Sequence, residues 1–299
     1  MKILVTGSSG LICSALCDTL AADRHEIIRL VRSREQATDS SVYWNYSTGE
    51  IDSAQLEGID AAVHLAGENI AAGRWTEQRK QEILVSREQG TRVLAATLAR
   101  LNRKPATLVS ASATGYYGDR GDEPLREDSP PGEGFLADIC RQWEAGLQPA
   151  VAAGIRVVTL RTGVVITRHG SLLKKVLPLF KAGLGGKLGS GRQYMSWIAL
   201  DDLLGVIRFA LEQRSLVGPV NAVAPQPVTN AEFTRTLGRL LHRPTIFTAP
   251  SFALRLTFGQ MADEMLLSSA RVVPAQLARF GYQFQFPDLD SALRNALER

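Results

Sequence analysis

Through the first two thirds of this 299-residue chain, short apolar runs alternate with longer stretches of helical spacing. A run that is apolar throughout is buried on both faces, and strands of that kind joined by helices lie parallel, with helices covering both sides of the sheet. The runs are KILVT (2–6), EIIRLVR (26–32), DAAVHLAG (60–67), ATLVSAS (106–112), IRVVTLRTG (155–163) and PVNAVAP (219–225). Helical spacing covers 11–22, 76–102, 134–153 and 200–213, and in the second of these Ile83, Leu84, Arg87, Val93 and Leu94 fall at three- and four-residue intervals. After residue 225 the texture changes. Prolines at 225, 227, 244, 250, 274 and 287 punctuate short helical segments such as NAEFTRTLGRLL and LDSALRNALE, which reads as a smaller lobe beside the sheet.

Composition removes several classes of function. No stretch approaches the about 20 apolar residues that span a bilayer, and MKILVTG enters a strand at once, so a cytoplasmic protein without membrane association is expected. Three cysteines without CxxC spacing imply neither a disulfide framework nor a zinc site. His25, His64, His169 and His242 are scattered, with no HExxH, so no metal is expected, and no GxSxG elbow suggests a hydrolase. The net charge of +4 is spread without single-sign blocks, which gives no footprint for nucleic acid.

The first strand runs into VTGSSGLICSAL, where Gly7, Ser8, Ser9, Gly10, Leu11 and Ile12 form a glycine turn opening a helix. Such a turn holds a pyrophosphate against backbone NH groups at a helix start. Cys13 occupies the place of the third glycine of that fingerprint, which serves close packing of helix on strand, and a small apolar thiol is a tolerable substitute there. At the end of the second strand an acid would hold the ribose 2′-OH of NAD, but this chain reads Arg32, Ser33 and Arg34. Cations suit a 2′-phosphate, so NADP(H) is the expected cofactor, against the plainer reading of these arginines as surface charges. The architecture expected is α/β: a Rossmann-type doubly wound parallel sheet with a small C-terminal α/β substrate lobe. Residues 1–225 form the dinucleotide domain, with 170–195 as a lid on the substrate pocket, and 226–299 form the lobe.

Taken together, TGSSGLI, LAGENI, SASATGYYGD, LRTGVV, GLGGKLGSGRQYMSWIALDDL and PVTNAEFTRTLGRLLHRP resemble the YfcH-like epimerase-family proteins, a branch of the extended short-chain dehydrogenase/reductases. The resemblance covers nearly the whole chain, including a segment near 248–296 similar to a domain of unknown function carried by that group. It implies that Leu65, Ala66 and Gly67 line the nicotinamide side, that Ser110 and Arg161 stand near the cofactor, and that Ser112 presents a catalytic hydroxyl. The plainer reading of Ser112 is a strand-end serine satisfying local backbone.

The resemblance also implies a Tyr and a Lys four residues apart on the following helix, the lysine lowering the tyrosine pKa for proton exchange. Here GFLADICRQWEAG places Leu136 and Cys140 at those positions. Tyr117, or its neighbour Tyr116, is the candidate substitute donor; the competing reading makes Tyr117 a wall residue. The loop 183–193 carries Lys187 and Arg192 among glycines, an anion contact or a flexible lid. Met195 and Ser196 stand before Trp197, where sugar-nucleotide epimerases usually have arginine, which argues against a diphosphosugar. Asp201 and Asp202 read as first-turn charges of a helix, and Met261, Met265 and Leu266 as lobe core with Asp263 and Glu264 beside it. The functions that follow are an NADP(H)-dependent oxidoreductase or epimerase acting on a small molecule, or an inactive NADPH-responsive regulatory protein on the same fold. A homodimer is the expectation carried by the superfamily.

Overall fold

The computed structural model describes residues 1–7 and 10–298. Its centre is an eight-stranded sheet that runs, edge to edge, Gly218–Ala222, Arg156–Thr162, Thr107–Ala113, Ala61–His64, Lys2–Thr6, Glu26–Val31, Ser41–Asn45 and Glu50–Ile51. All neighbours are parallel except the last pair, where Trp44 faces Ile51 in an antiparallel hairpin. The expected strands are present, with ends moved by at most three residues. DAAVHLAG ends as a strand at His64, because Leu65–Gly67 leave the sheet for a loop. The strand Ser41–Asn45 was not among the expected ones; Val42, Tyr43 and Trp44 favour a strand, but the run is short and lies between polar stretches.

Period-two alternation sends neighbouring residues to opposite faces. Ile3, Val5, Val63, Val109 and Val158 enter one core with Leu16 and Leu20 of the helix Leu11–Ala22 and Val206 and Ile207 of the helix Leu200–Glu212. Leu4, Ala62, Leu108 and Val157 face the other core, with Leu94 and Leu98 of the helix Glu77–Arg100. The sheet is therefore doubly wound, as its near-continuous apolar strands require. The expected helix 134–153 is two, Phe135–Ala145 and Gln148–Ala152, interrupted at Gly146 and Leu147.

A third core builds the lobe. Ile166, Leu173, Phe180 and Trp197 pack with Phe233 and Leu237 of the helix Asn230–Leu240 and with Leu289 and Leu293 of Leu289–Glu298. Short strand pairs stitch distant segments together: Gly186–Leu188 with Phe247–Ala249, Tyr194–Met195 with Val228–Thr229, and Pro124–Leu125 with Arg271–Val272. Segment 164–199 thus shares its core with the residues after 226. Asp202 adds a clamp: its buried carboxylate accepts from the backbone of Gln285 (2.7 Å) and Phe286 (2.9 Å). Its first-turn position is as expected, but its principal partner is the C-terminal segment.

Candidate functional site

In an open parallel sheet, ligands bind outside the carboxyl ends of the strands where the strand order reverses. Here that point lies between Lys2–Thr6 and Ala61–His64. Gly7 follows the first of these with φ +77°, and a Cβ there would stand 3.1 Å from the Ala66 backbone. Glycine is required by both conformation and space. Thr6 Oγ1 accepts from the Leu65 and Ala66 amides at 3.2 Å and shares a 2.7 Å hydrogen bond with His64 Nδ1, while His64 Nε2 meets Thr91 at 3.0 Å. Complete burial pushes the His64 pKa down to about 4, so this clamp uses a neutral imidazole.

Gly10 is the N-cap of Leu11–Ala22, and no side chain among the described residues caps that helix, which leaves first-turn amides for another acceptor. Ser8 and Ser9 lie outside the described residues. Cys13 is buried, and its thiol donates to the Thr6 carbonyl at 3.2 Å. Burial raises its pKa to about 12, so it is an inert packing group joining helix to strand.

From this turn a cleft of about 1870 Å³ extends to the lobe. Gly7, Gly10, Leu11, Ile12, Arg32, Ser33, Leu65, Ala66 and Gly67 all line it. Arg32 is mostly exposed and paired with Glu68 at 3.1 Å. Arg34 turns away, bonded to Glu50 and lying over the Tyr43 ring at 4.3 Å.

Four residues expected at the site lie behind its wall instead. Ser110 is fully buried, its hydroxyl on the Ala111 carbonyl. Ser112 donates to Glu144 at 2.7 Å. Arg161, paired with Ser112 across the adjoining strands, forms a bidentate bridge to the same carboxylate, with both bonds at 2.9 Å. Arg161 also donates to the Tyr117 hydroxyl, which donates to Asn221 Oδ1 at 2.6 Å. Tyr117 is 0% exposed, and burial raises its pKa to about 12 although Arg161 opposes the rise. Glu144, Asn221 and Arg161 thus engage both hydroxyls. Tyr116 stacks on the Arg161 guanidinium at 3.5 Å.

The helix Phe135–Ala145 presents Leu136 and Cys140 to the cleft. Its first amides, those of Phe135 and Leu136, donate to Glu264 at 3.1 and 2.8 Å. Glu264, expected beside a lobe core, is therefore a cap reaching 128 residues back along the chain to Leu136. The Cys140 thiol donates to the Ala113 carbonyl, and burial raises its pKa to about 11. The segment 183–193 is pinned: Gln193 donates to the carbonyls of Leu188 (3.1 Å) and Leu266 (2.9 Å), and Asn230 accepts from the Leu188 amide. Leu188 and Gln193 line the cleft, while the side chain of Arg192 is exposed.

Sequence reasoning missed two groups. Lys175 of the helix Ser171–Lys181 reaches across to donate to the Ala71 carbonyl at 2.9 Å, joining lobe to sheet domain. Arg87, which helical spacing placed in a stripe with apolar residues, is buried yet lines the cleft against Gly67, Cys140 and Trp143. Among the described residues no group of three or more His, Cys, Asp or Glu could hold a metal ion, and no helix is long and apolar enough to cross a membrane.

Residues 3–222 match the NAD dependent epimerase/dehydratase family. The chain belongs to that family. Residues 249–296 match a domain of unknown function, DUF1731, on the lobe. The epimerase family protein Mb2239 of Mycobacterium bovis is 46% identical over 99% of this chain and 98% of its own. The crystal structure of the human epimerase family protein SDR39U1 (isoform 2) with NADPH superposes with a TM-score of 0.91, at 36% identity and covering 100% of both chains. A nucleoside-diphosphate sugar epimerase from Corynebacterium glutamicum matches at 37% identity and TM-score 0.83 over 99% of this chain and 58% of its own.

Proposed function

We propose that this protein binds NADP(H) at the switch point of its sheet and acts on a small molecule held between the sheet and the lobe. The observation that carries the reading is the glycine-only contact of Gly7 with Ala66 beside an uncapped helix start, with Arg32 and Ser33 at the neighbouring strand end. These features suit a dinucleotide: backbone amides for the pyrophosphate and a cation for a 2′-phosphate. The human relative solved with NADPH supports the same choice. Bound there, a nicotinamide supplies hydride chemistry. The residues of this chain would orient it: Leu65, Ala66 and Gly67 form the floor, and Leu136 and Cys140 an apolar flank.

The helix Phe135–Ala145 contains neither Tyr nor Lys, and Ser112 and Tyr117 are engaged behind the wall, so in this reading the superfamily's usual proton relay does not operate. That observation favours a second reading, in which NADPH orders the lobe for regulation without turnover. Nicotinamide fluorescence on titrating NADPH and NADH tests the first claim; stronger binding of NADPH is expected, and Arg32→Glu should weaken NADPH far more than NADH. A carbonyl panel followed by NADPH absorbance separates the two readings. Oxidation with any substrate supports the enzyme; tight binding with none supports the regulator. Absence of NADPH binding at millimolar concentration would overturn both.

A further inference from the structure

Three of the chain's four methionines, Met195, Met261 and Met265, line the cleft, and all three are carried by the C-terminal domain or by the segment that shares the lobe core. Methionine is unbranched and polarisable, and it concentrates on surfaces that adapt to apolar ligands. Met265 is 37% exposed, with Phe258 and Leu266 extending the same lining. The backbone beneath is a π-helix, Ala262–Leu267, a rare widened turn that occurs mostly at functional sites. Met261 stands at its start and packs in one cluster with Phe258 and Leu136. Glu264 fastens the turn to the amides of Phe135 and Leu136, so the methionines stand beside the apolar flank that a nicotinamide would face.

Polar groups on this side of the cleft are committed to the frame. Gln193 and Asn230 hold the backbone of Leu188, Ser196 donates to the Ala270 carbonyl at 2.7 Å, and Asp263 pairs with Arg255 at 2.8 Å. Charge points the same way. The carboxylates of Asp119, Glu133, Asp263 and Glu264 border this side, against the ammonium groups of Lys174 and Lys175, and Lys175 is held by the Ala71 carbonyl. A diphosphate is bound by clustered cations and free donors, and a border richer in acids than in cations repels it. We propose that the lobe side of the cleft takes an uncharged, largely apolar small molecule, not a diphosphosugar, with Met195, Met261 and Met265 as its adaptable contact surface. The inference rests on the dinucleotide reading above, which assigns the glycine side of the cleft to the cofactor.

The test measures binding alone, with NADP+ as the cofactor because it cannot reduce a ketone. NADP+ is titrated first by calorimetry; absence of binding sinks the dinucleotide reading and this inference with it. On the saturated protein, 2-butanone, 2-hexanone, 2-octanone and UDP-glucose are then compared by ligand-observed NMR. Affinity should rise by about fourfold for each methylene buried, and 2-octanone should bind more tightly than UDP-glucose. Met265→Gln, close in size to the native side chain and at an exposed position, should weaken 2-octanone by about fivefold and leave NADP+ affinity unchanged. Met195→Gln should act in the same direction, and the chain-length series on the unaltered protein carries the test if neither variant folds. With NADP+ bound, three results would each overturn the inference alone: 2-octanone binding no tighter than 2-butanone, UDP-glucose binding tighter than 2-octanone, or 2-octanone affinity unchanged in both folded variants.

Discussion

Two buried arginines stand at the carboxyl end of this sheet, and they are solved in opposite ways. Arg161, behind the cleft wall, has a bidentate carboxylate, a tyrosine hydroxyl, a backbone carbonyl and a stacked ring. Arg87, on the cleft, has two carbonyls and one ring. A charge completed by the protein belongs to the frame. A charge held by backbone carbonyls, with the acidic Glu68 beside it in the same cleft, stays part of the cleft surface. The frame reading of Arg161 also explains the reach of its network: Glu127 accepts from the amides of Asn221 and Gln276, and Asn221 donates to the Val273 carbonyl, so the wall ties the sheet to the C-terminal segment.

The comparison breaks most directly at Glu144. Glu144→Ala leaves the Arg161 charge buried and unpaired, and should cost about 3–5 kcal/mol of stability in urea unfolding, while Arg87→Met should cost far less. Comparable losses would erase the distinction between the two cations. Next comes acid. His64 is neutral when folded, with a pKa near 4 against 6.5 for the free side chain. The unfolded chain takes up a proton as pH falls through 6.5, and the folded chain does so only near 4. Stability is therefore full above the higher value and lost on acidification between the two, by about 3 kcal/mol in total. Urea midpoints at pH 7 and pH 4.5 should converge when His64→Asn is compared with wild type; a constant gap would exclude His64 as the source.

A smaller effect sharpens the frame reading. Tyr117→Phe removes a hydroxyl bonded to Asn221 and Arg161, and should destabilise by about 1–3 kcal/mol without changing NADPH affinity in a fluorescence titration. If NADPH affinity fell tenfold at constant stability, Tyr117 would have to reach the cleft after all. The smallest expected change is at the turn: Cys13→Ala, which loses the thiol bond to Thr6 and the packing of one buried sulfur, should shift stability by about 1 kcal/mol and leave NADPH binding intact. Cys13 in the native protein should also resist a thiol reagent at pH 8, given its raised pKa.

Much of the fold was legible because it rests on local patterns: apolar runs of strand length, glycines at Gly7 and Gly10, and helical spacing over 11–22 and 200–213 matched by Leu11–Ala22 and Leu200–Glu212. The strip of residues around the glycine turn was legible for the same reason. That Ser112, Tyr117 and Arg161 lie behind the wall was not legible, because strand-end serines and tyrosines look alike in sequence whether they face a cleft or a carboxylate 32 residues downstream, as Ser112 does. Glu264 could not be read as a cap for Phe135–Ala145, since the two are joined only through the folded lobe.

The sequence by itself determined a parallel doubly wound sheet, a nucleotide-type turn at its first strand end, and the lack of Tyr and Lys on the helix after SASATGYYGD. Each of these is written in neighbouring residues, where periodicity and backbone sterics act over a few positions. Only the tertiary structure decided which polar groups are spent on one another and which still face open space. That accounting depends on distances between segments far apart in the chain. It is how Arg161 became part of the frame and Arg87, an unremarked member of a helical stripe, became the cation at the cleft.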